Sequence, residues 1–242
     1  MAPAPSSSPD TAFTMAFQPI VDAVERRIFG YEALVRGPQG QGAAQVLASV
    51  GPGQRFAFHE ACRVRAIKMA AALDMDVKLS LNVAPNDVAG KEECFSTAIA
   101  TATRHGFPVD QLMFEITEGE RVPNLGDLAA SFGAFGHLGI TSAIDDFGAG
   151  YAGFELLAAF QPDLVKIDMN LVRSLDSDRV RRTLVRGVAR TCGELGVRVI
   201  AEGVETRGEY AVLRDMGVSL FQGYLFARPA IGVLPPIAWD AL

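Results

Sequence analysis

Ile140-Thr141-Ser142-Ala143-Ile144-Asp145-Asp146-Phe147-Gly148-Ala149-Gly150-Tyr151 reads as a strand that ends in two carboxylates and opens into a glycine-rich loop. An apolar run bounded by glycines is a strand signal, and paired carboxylates at its end deliver two anionic ligands to one rim of a sheet. Successive strand residues point to opposite faces, so the two are expected to serve different metals or to bridge them. Taken alone, an Asp-Asp pair before glycine is also the composition of a solvated turn. The rest of the chain decides between these readings.

Outward from this stretch, apolar alternation and turn signals predict strands at about residues 14–21, 29–35, 77–83, 111–117, 140–145, 164–168, 198–202 and 219–222. Helical periodicity fills most of the intervals, as over residues 56–73 and 179–195. Strand alternating with helix implies parallel pairing through crossover helices, and the strand count is that of a closed barrel. The stretch from Asp22 to Arg27 is too short for a crossover, so the first strand is expected to run antiparallel to its neighbour. The fold class is therefore α/β, a modified (β/α)8 barrel with an antiparallel first strand.

The 242 residues suit one such domain over residues 13–242, preceded by a Pro-, Ala- and Ser-rich segment at 1–12 that reads as a disordered tail. No apolar stretch reaches the ~18 uncharged residues of a membrane span, and a cytoplasmic protein is expected. A net charge of −6 argues against a nucleic acid polymer as partner, while leaving room for a small phosphorylated ligand. Cys62, Cys94 and Cys192 are widely spaced in helical stretches and read as reduced, packed thiols. His59, His105 and His137 lack metal-ligand spacing and read as structural or surface groups.

In a barrel the active site is built where the strands finish. The strand ends here carry Glu32, Asn82, Glu115, Asp145 with Asp146, Lys166 with Asp168, Glu202 and Gln222. Each has an ordinary reading by itself: an edge-strand carboxylate for Glu32, a turn cap for Asn82, a turn residue for Gln222, a snorkelling or Asp168-paired amine for Lys166. Together they put five carboxylates near one rim, and bound cations are the simplest neutralisation. Oxygen and amide donors without His or Cys favour Mg²⁺ or Mn²⁺. Two such ions about 4 Å apart suit phosphoryl transfer to water, with a lysine beside them to orient that water. Arg36 shares a strand face with Glu32 and could hold a phosphate oxygen.

Tyr31-Glu32-Ala33-Leu34-Val35-Arg36, Asn82, Phe114-Glu115-Ile116-Thr117-Glu118, Asp145-Asp146-Phe147-Gly148, Lys166-Ile167-Asp168, Ala201-Glu202-Gly203-Val204-Glu205 and Gln222-Gly223-Tyr224-Leu225 together resemble the EAL-domain cyclic di-GMP phosphodiesterases. The resemblance runs from about Phe17 to Pro229. It implies hydrolysis of cyclic di-GMP to linear pGpG with two Mg²⁺ or Mn²⁺ ions per site. Carried over by position, Glu32, Asn82, Glu115 and Asp145 would hold one metal, and Asp145, Asp146 and Glu202 the second, with Asp145 bridging. Lys166 would contact the attacking water, and Gln222 would help hold that water or the second metal's shell. Gln18, Arg36 and Asp168 fall on the substrate side, while Glu118 and Glu205 would brace the surrounding loops. A homodimer, and a sensor or cyclase domain in a longer parent chain, are further implications. Arg36-Gly37 in place of Arg-Trp, and the short glycine-rich stretch up to Phe56, resemble EAL domains attached to BLUF light sensors. Ala149 and Ala152 stand where Thr or Ser is common, a departure that touches the loop after Asp146 and removes no ligand. A catalytically silent receptor or interaction module of the same fold is the alternative function. The complete ligand set favours the enzyme.

Overall fold

The computed structural model describes residues 12–88, 93–117, 125–150, 153–237 and 239. The tail expected over residues 1–12 lies outside them, Ala12 apart. Strands β1 (Thr14–Asp22) and β2 (Arg27–Arg36) form the expected antiparallel hairpin, in register from Thr14 opposite Arg36 to Asp22 opposite Arg27. Asp22 makes the reversal, its Oδ1 accepting from the backbone N–H groups of Val24 and Glu25 at 3.2 and 3.1 Å. Parallel strands follow: β3 (Lys78–Val83), β4 (Leu112–Thr117), β5 (Thr141–Phe147), β6 (Leu164–Ile167), β7 (Arg198–Ala201) and β8 (Leu220–Phe221). β8 returns to pair antiparallel with β1, and β1 pairs with β2, so the sheet closes. A short strand that the sequence pattern did not reveal, β9 (Ala230–Ile231), adds antiparallel to β1 outside this ring.

The helices are α1 (Ala43–Ala48), α2 (Arg55–Ala72), α3 (Pro85–Val88), α4 (Glu93–His105), α5 (Leu125–Phe135), α6 (Gly153–Ala159), α7 (Met169–Val172), α8 (Arg179–Glu194) and α9 (Arg207–Asp215). Local chemistry starts several of them. Asp178 caps α8 by accepting from Val180 and Arg181 N–H, and Thr206 with Glu209 forms a capping box on α9. None of the described helices is long and apolar enough to cross a membrane. Cys62 and Cys192 are free thiols that burial pushes up to about 12 and about 11, which leaves them inert as nucleophiles; the Cys94 side chain lies outside the described residues.

Two apolar layers result from strand alternation. The outward-facing strand residues, such as Phe114, Ile144, Val165 and Phe221, join the helices in one large core. There Phe95 of α4 packs its ring 4.6 Å from Phe114 and 5.1 Å from Phe132. The inward-facing residues Ile20, Met113, Ala143, Leu164, Ile200 and Leu220, one from each of β1 and β4 to β8, form a separate buried cluster that fills the barrel. This apolar floor positions everything above it. With a period of two, the next inward residue toward the open rim is Glu115, Asp145, Lys166, Glu202 or Gln222, and on the antiparallel β1 it is Gln18.

The predicted strands run one residue too far at 168, 202 and 222. These residues continue the ladder by single bonds only, from Asp168 N to Phe147 O at 3.2 Å, Glu202 N to Ile167 O at 3.1 Å and Gln222 N to Ala201 O at 2.9 Å. Beyond Gln222 the chain packs directly on the loop after β7, with Leu225 N donating to Val204 O at 3.0 Å. Gly223 makes that approach possible, because a Cβ there would sit 2.1 Å from the Val204 carbonyl oxygen. Gly223→Ala is therefore expected to cost about 1–3 kcal/mol, with Gly53→Ala, which meets nothing within 4 Å, near neutral. Urea midpoints of the two variants check this, and equal midpoints would contradict the close approach.

Candidate active site

Lys166 stands at the centre of the rim and is fully buried. Its Nζ lies 2.7 Å from Glu202 Oε1, 2.9 Å from Asp145 Oδ1, 3.0 Å from Glu115 Oε2 and 3.4 Å from Glu32 Oε2. An ammonium group leaves water at this depth only when several anions compensate it. Glu32 is held in turn by amides, accepting from Gln222 Nε2 at 2.7 Å and from Asn82 Nδ2 at 3.2 Å. Gln222 Nε2 also lies 3.3 Å from Gln18 Oε1, and Gln18 donates to Ala227 O at 3.3 Å. The ordinary readings of Glu32 as an edge carboxylate and of Lys166 as an Asp168 partner thus give way to one shared network.

The acids respond differently to this setting. Burial alone would raise Glu32, yet Lys166 and the amides of Gln222 and Asn82 outweigh it, so this carboxyl sits below its usual range. Glu115 has no such amide partners, and burial with repulsion from Glu32 and Asp145 pushes it up to about 8 despite Lys166. Burial and the neighbouring Asp145 charge raise Asp146 to about 6. Burial also lifts Asp145 above its usual value, and Glu202 far above it. Lys166 moves well above its ordinary value, because Asp145, Glu115, Glu202 and Glu32 overcome its burial.

The sequence expectation that Asp145 and Asp146 face opposite sides of the sheet is corrected here. Between β5 and β6 the pairing advances from Ile144 opposite Val165 to Phe147 opposite Ile167, three steps against two. The extra residue is a bulge, and Asp146 enters the left-handed region at φ 56°. Its carboxylate therefore joins that of Asp145 instead of turning to the outer core. Ligand oxygens of Asp145, Asp146 and Glu202 all lie within 4.8 Å of one another. The donor set is all oxygen, four carboxylates share one ammonium, and Gln222 Oε1 is buried without a hydrogen-bond partner. Such a set fits hard divalent cations.

Two cavities flank the cluster and share Glu32, Asp146 and Glu202. The larger, about 450 Å³, lies toward α1 and α2 and reaches Met15, Val35, Leu47, His59, Arg63 and Asn82. The glycine-rich stretch before α2 thus contributes a wall through α1. The smaller, about 230 Å³, reaches Gln18, Asp168, Arg173, Glu205, Gln222 and Tyr224. Asp168 also caps α7, accepting from Asn170 N at 2.9 Å. Arg36 lines neither cavity; its Nη1 turns back to donate to Val35 O at 2.8 Å. Glu205 is half exposed and pairs with Arg173 Nη2 at 3.2 Å, tying the loop after β7 to α7. Glu118 and Ala152 lie outside the described residues.

Two residues of the site escape the sequence reading. Glu209 is buried and accepts from Ser174 N at 2.8 Å, Glu205 N at 3.0 Å and Thr206 N at 3.1 Å. Burial opposes its charge, yet these backbone donors hold its carboxyl below the usual range. The spacing Thr206-x-x-Glu209 is a capping-box signal that could have found it. His59 was read as structural or surface, and the structure places it on the wall of the larger cavity. Its position inside an amphipathic helix gave no such sign.

A family model described as the EAL domain matches residues 8–229. A standalone EAL protein from Vibrio cholerae O395, solved in a c-di-GMP bound form, is 43% identical with a TM-score of 0.92, over 97% of this chain and 99% of that one. BlrP1 of Klebsiella pneumoniae, solved as a manganese and cyclic diGMP complex, is 33% identical with a TM-score of 0.87, over 97% of this chain and 60% of that one. The blue light- and temperature-regulated antirepressor BluF of Escherichia coli K12 is 31% identical over 233 residues, 96% of this chain and 58% of the relative. The chain spans between 32% and 58% of the length of the curated relatives first matched. The family match takes in the β1–β2 hairpin, the closed sheet and every strand end of the Lys166 cluster, and the chain belongs to the EAL domain family.

Proposed function

We propose that the chain is a metal-dependent phosphodiesterase that hydrolyses cyclic di-GMP to linear pGpG in the cytoplasm. The observation that carries this reading is the Lys166 cluster, in which Glu32, Glu115, Asp145 and Glu202 converge within 3.4 Å of one ammonium and no expected ligand is missing. Ligand class and metal class are supported by the similar Vibrio and Klebsiella proteins, which were solved with c-di-GMP and, in the second case, manganese. Glu32, Asn82, Glu115 and Asp145 would hold one Mg²⁺ or Mn²⁺, and Asp145, Asp146 and Glu202 the other. When bound, two such ions supply Lewis-acid polarisation of the phosphodiester and a nucleophile at neutral pH.

The chain's own residues do the positioning. The Lys166 ammonium, which would share its carboxylates with bound ions, would hold the attacking water and offset charge on the phosphoryl oxygens. Gln222 Oε1, which accepts no hydrogen bond in this structure, can accept one from that water. Gln18 and Asp168 line the smaller cavity, from which they would face the ligand. Arg36 must leave Val35 O before it can reach a phosphate oxygen. The water oxygen bonds to phosphorus as the bond to the ribose 3′ oxygen breaks, and the proton lost by water ends on that oxygen. Glu205 and Glu209 brace the loops from which these groups project. A homodimer beside a sensor or cyclase domain completes the proposal.

A silent receptor of the same fold is the second reading, favoured by one observation, the 31% identity to a relative named an antirepressor. Incubation with cyclic di-GMP and Mg²⁺ or Mn²⁺, followed by chromatography, separates the two: pGpG is expected, and its absence under both metals selects the receptor. Glu32→Ala and Asp145→Ala are expected to abolish turnover. Lys166→Ala should lose turnover by about a hundredfold or more while nucleotide affinity, followed by calorimetry, changes far less; equal losses in both would remove Lys166 from the chemistry.

Asp146 at about 6 and Glu115 at about 8 also fix a pH dependence. A carboxyl raised in the folded state contributes stability below its unfolded value and loses that contribution as pH rises through the folded one. Metal-free protein should therefore melt at progressively lower temperature between about pH 4 and 8. Glu32, held low, acts in the opposite sense only toward acid. Mg²⁺ or Mn²⁺ neutralises the cluster and should flatten the fall. Melting curves in EDTA and in metal that run parallel across this range would contradict the assignment.

A further inference from the structure

The apolar floor of the barrel has a polar neighbour. Ser80 of β3 stands opposite Met113, one of the residues that fill the barrel. Strand alternation fixes its direction: Leu79 and Leu81 belong to the outer core, so Ser80 points inward, two residues below Asn82. It is fully buried, and its Oγ makes no hydrogen bond. A buried hydroxyl without a partner opposes folding, and alanine would fill the same position without that cost.

Two carboxylates border Ser80, and their hydrogen bonds tell them apart. Glu32 lies directly across from it on β2 with both oxygens engaged, Oε1 by Asn82 Nδ2 at 3.2 Å and Oε2 by Gln222 Nε2 at 2.7 Å and Lys166 Nζ at 3.4 Å. Glu115 lies one step further toward the rim on β4, opposite Asn82, and is fully buried. Its Oε2 meets Lys166 Nζ at 3.0 Å, while its Oε1 is shut from water with no hydrogen-bond partner. Burial raises Glu115, Lys166 opposes that rise most, and the nearby Ser80 hydroxyl acts in the same sense as Lys166. A donor without an acceptor thus adjoins an acceptor without a donor. In the two-ion site Glu115 would be a ligand, and a carboxylate that gives one oxygen to a cation keeps its orientation when the other is hydrogen-bonded.

We propose that Ser80 is the positioning residue for Glu115 as a metal ligand: in the loaded site its hydroxyl donates to Oε1 while Oε2 serves the cation. The inference rests on the two-ion site proposed above. The metal-free fold then carries an unpaired hydroxyl that the loaded site pairs, so the same group opposes the stability of one state and supports the other.

The native chain and Ser80→Ala, each titrated with Mn²⁺ by calorimetry and melted in EDTA, test this. Ser80→Ala should weaken one of the two Mn²⁺ sites about tenfold, the loss that follows removal of a ligand's hydrogen-bond partner, and weaken the other far less. In EDTA the variant should melt at the native temperature or above it, because it has lost an unpaired polar group. A merely structural Ser80 would instead lower the melting temperature in EDTA, and that result overturns the assignment. Two Mn²⁺ sites of native affinity in Ser80→Ala also overturn it and leave the metal reading standing. A native chain that binds no Mn²⁺ overturns both.

Discussion

One buried ammonium organises the open end of this barrel. Carboxylates from β2, β4, β5 and β7 meet there, and like charges at such spacing repel by about 4 kcal/mol per pair at 4 Å in a surface-like dielectric. Lys166, on β6 between β5 and β7, touches four of them. The metal-free fold and the metal-loaded site are two solutions to the same electrostatic problem, and the lysine is the internal one. This explains why the group proposed to act on water is also the group that lets the strand ends assemble before any ion arrives.

The residues around the cluster divide the labour. Against its burial, Lys166 and the amides of Gln222 and Asn82 hold Glu32 low, while burial raises Glu115 to about 8 despite Lys166. The loops after β7 and β8 are clasped by backbone bonds and by the buried Glu209. On the other side, α1 and α2 wall a larger, mostly apolar cavity that His59 and Arg63 also line. Charge is concentrated at the centre, with a cavity on either flank.

Most of the fold was legible in the sequence because its information is local. Apolar alternation found the eight barrel strands, and the short link from Asp22 to Arg27 found the antiparallel hairpin, since neither depends on distant contacts. β9 was missed because two residues, Ala230 and Ile231, carry no periodicity. Each strand-end residue of the candidate site was named for the same reason as its strand, while His59 was not. Helical spacing says which face of α2 is buried but not which neighbour it meets, and Asp87 lies 28 residues away.

The sequence by itself determined which residues stand at the strand ends and that their charges need compensation, because period-two alternation and the cost of buried charge are properties of short segments. Only the tertiary structure decided how those charges are shared. Alternation alone sends Asp146 to the outer face; the bulge against β6 and a left-handed backbone at φ 56° bring it beside Asp145 and Glu202. The same holds for Arg36, which lies on the right strand face yet bonds its own chain, and for His59, which acquires a cavity only when α2 closes over the barrel rim. These are contacts between segments distant in sequence, fixed by packing and register, which no single stretch of sequence encodes.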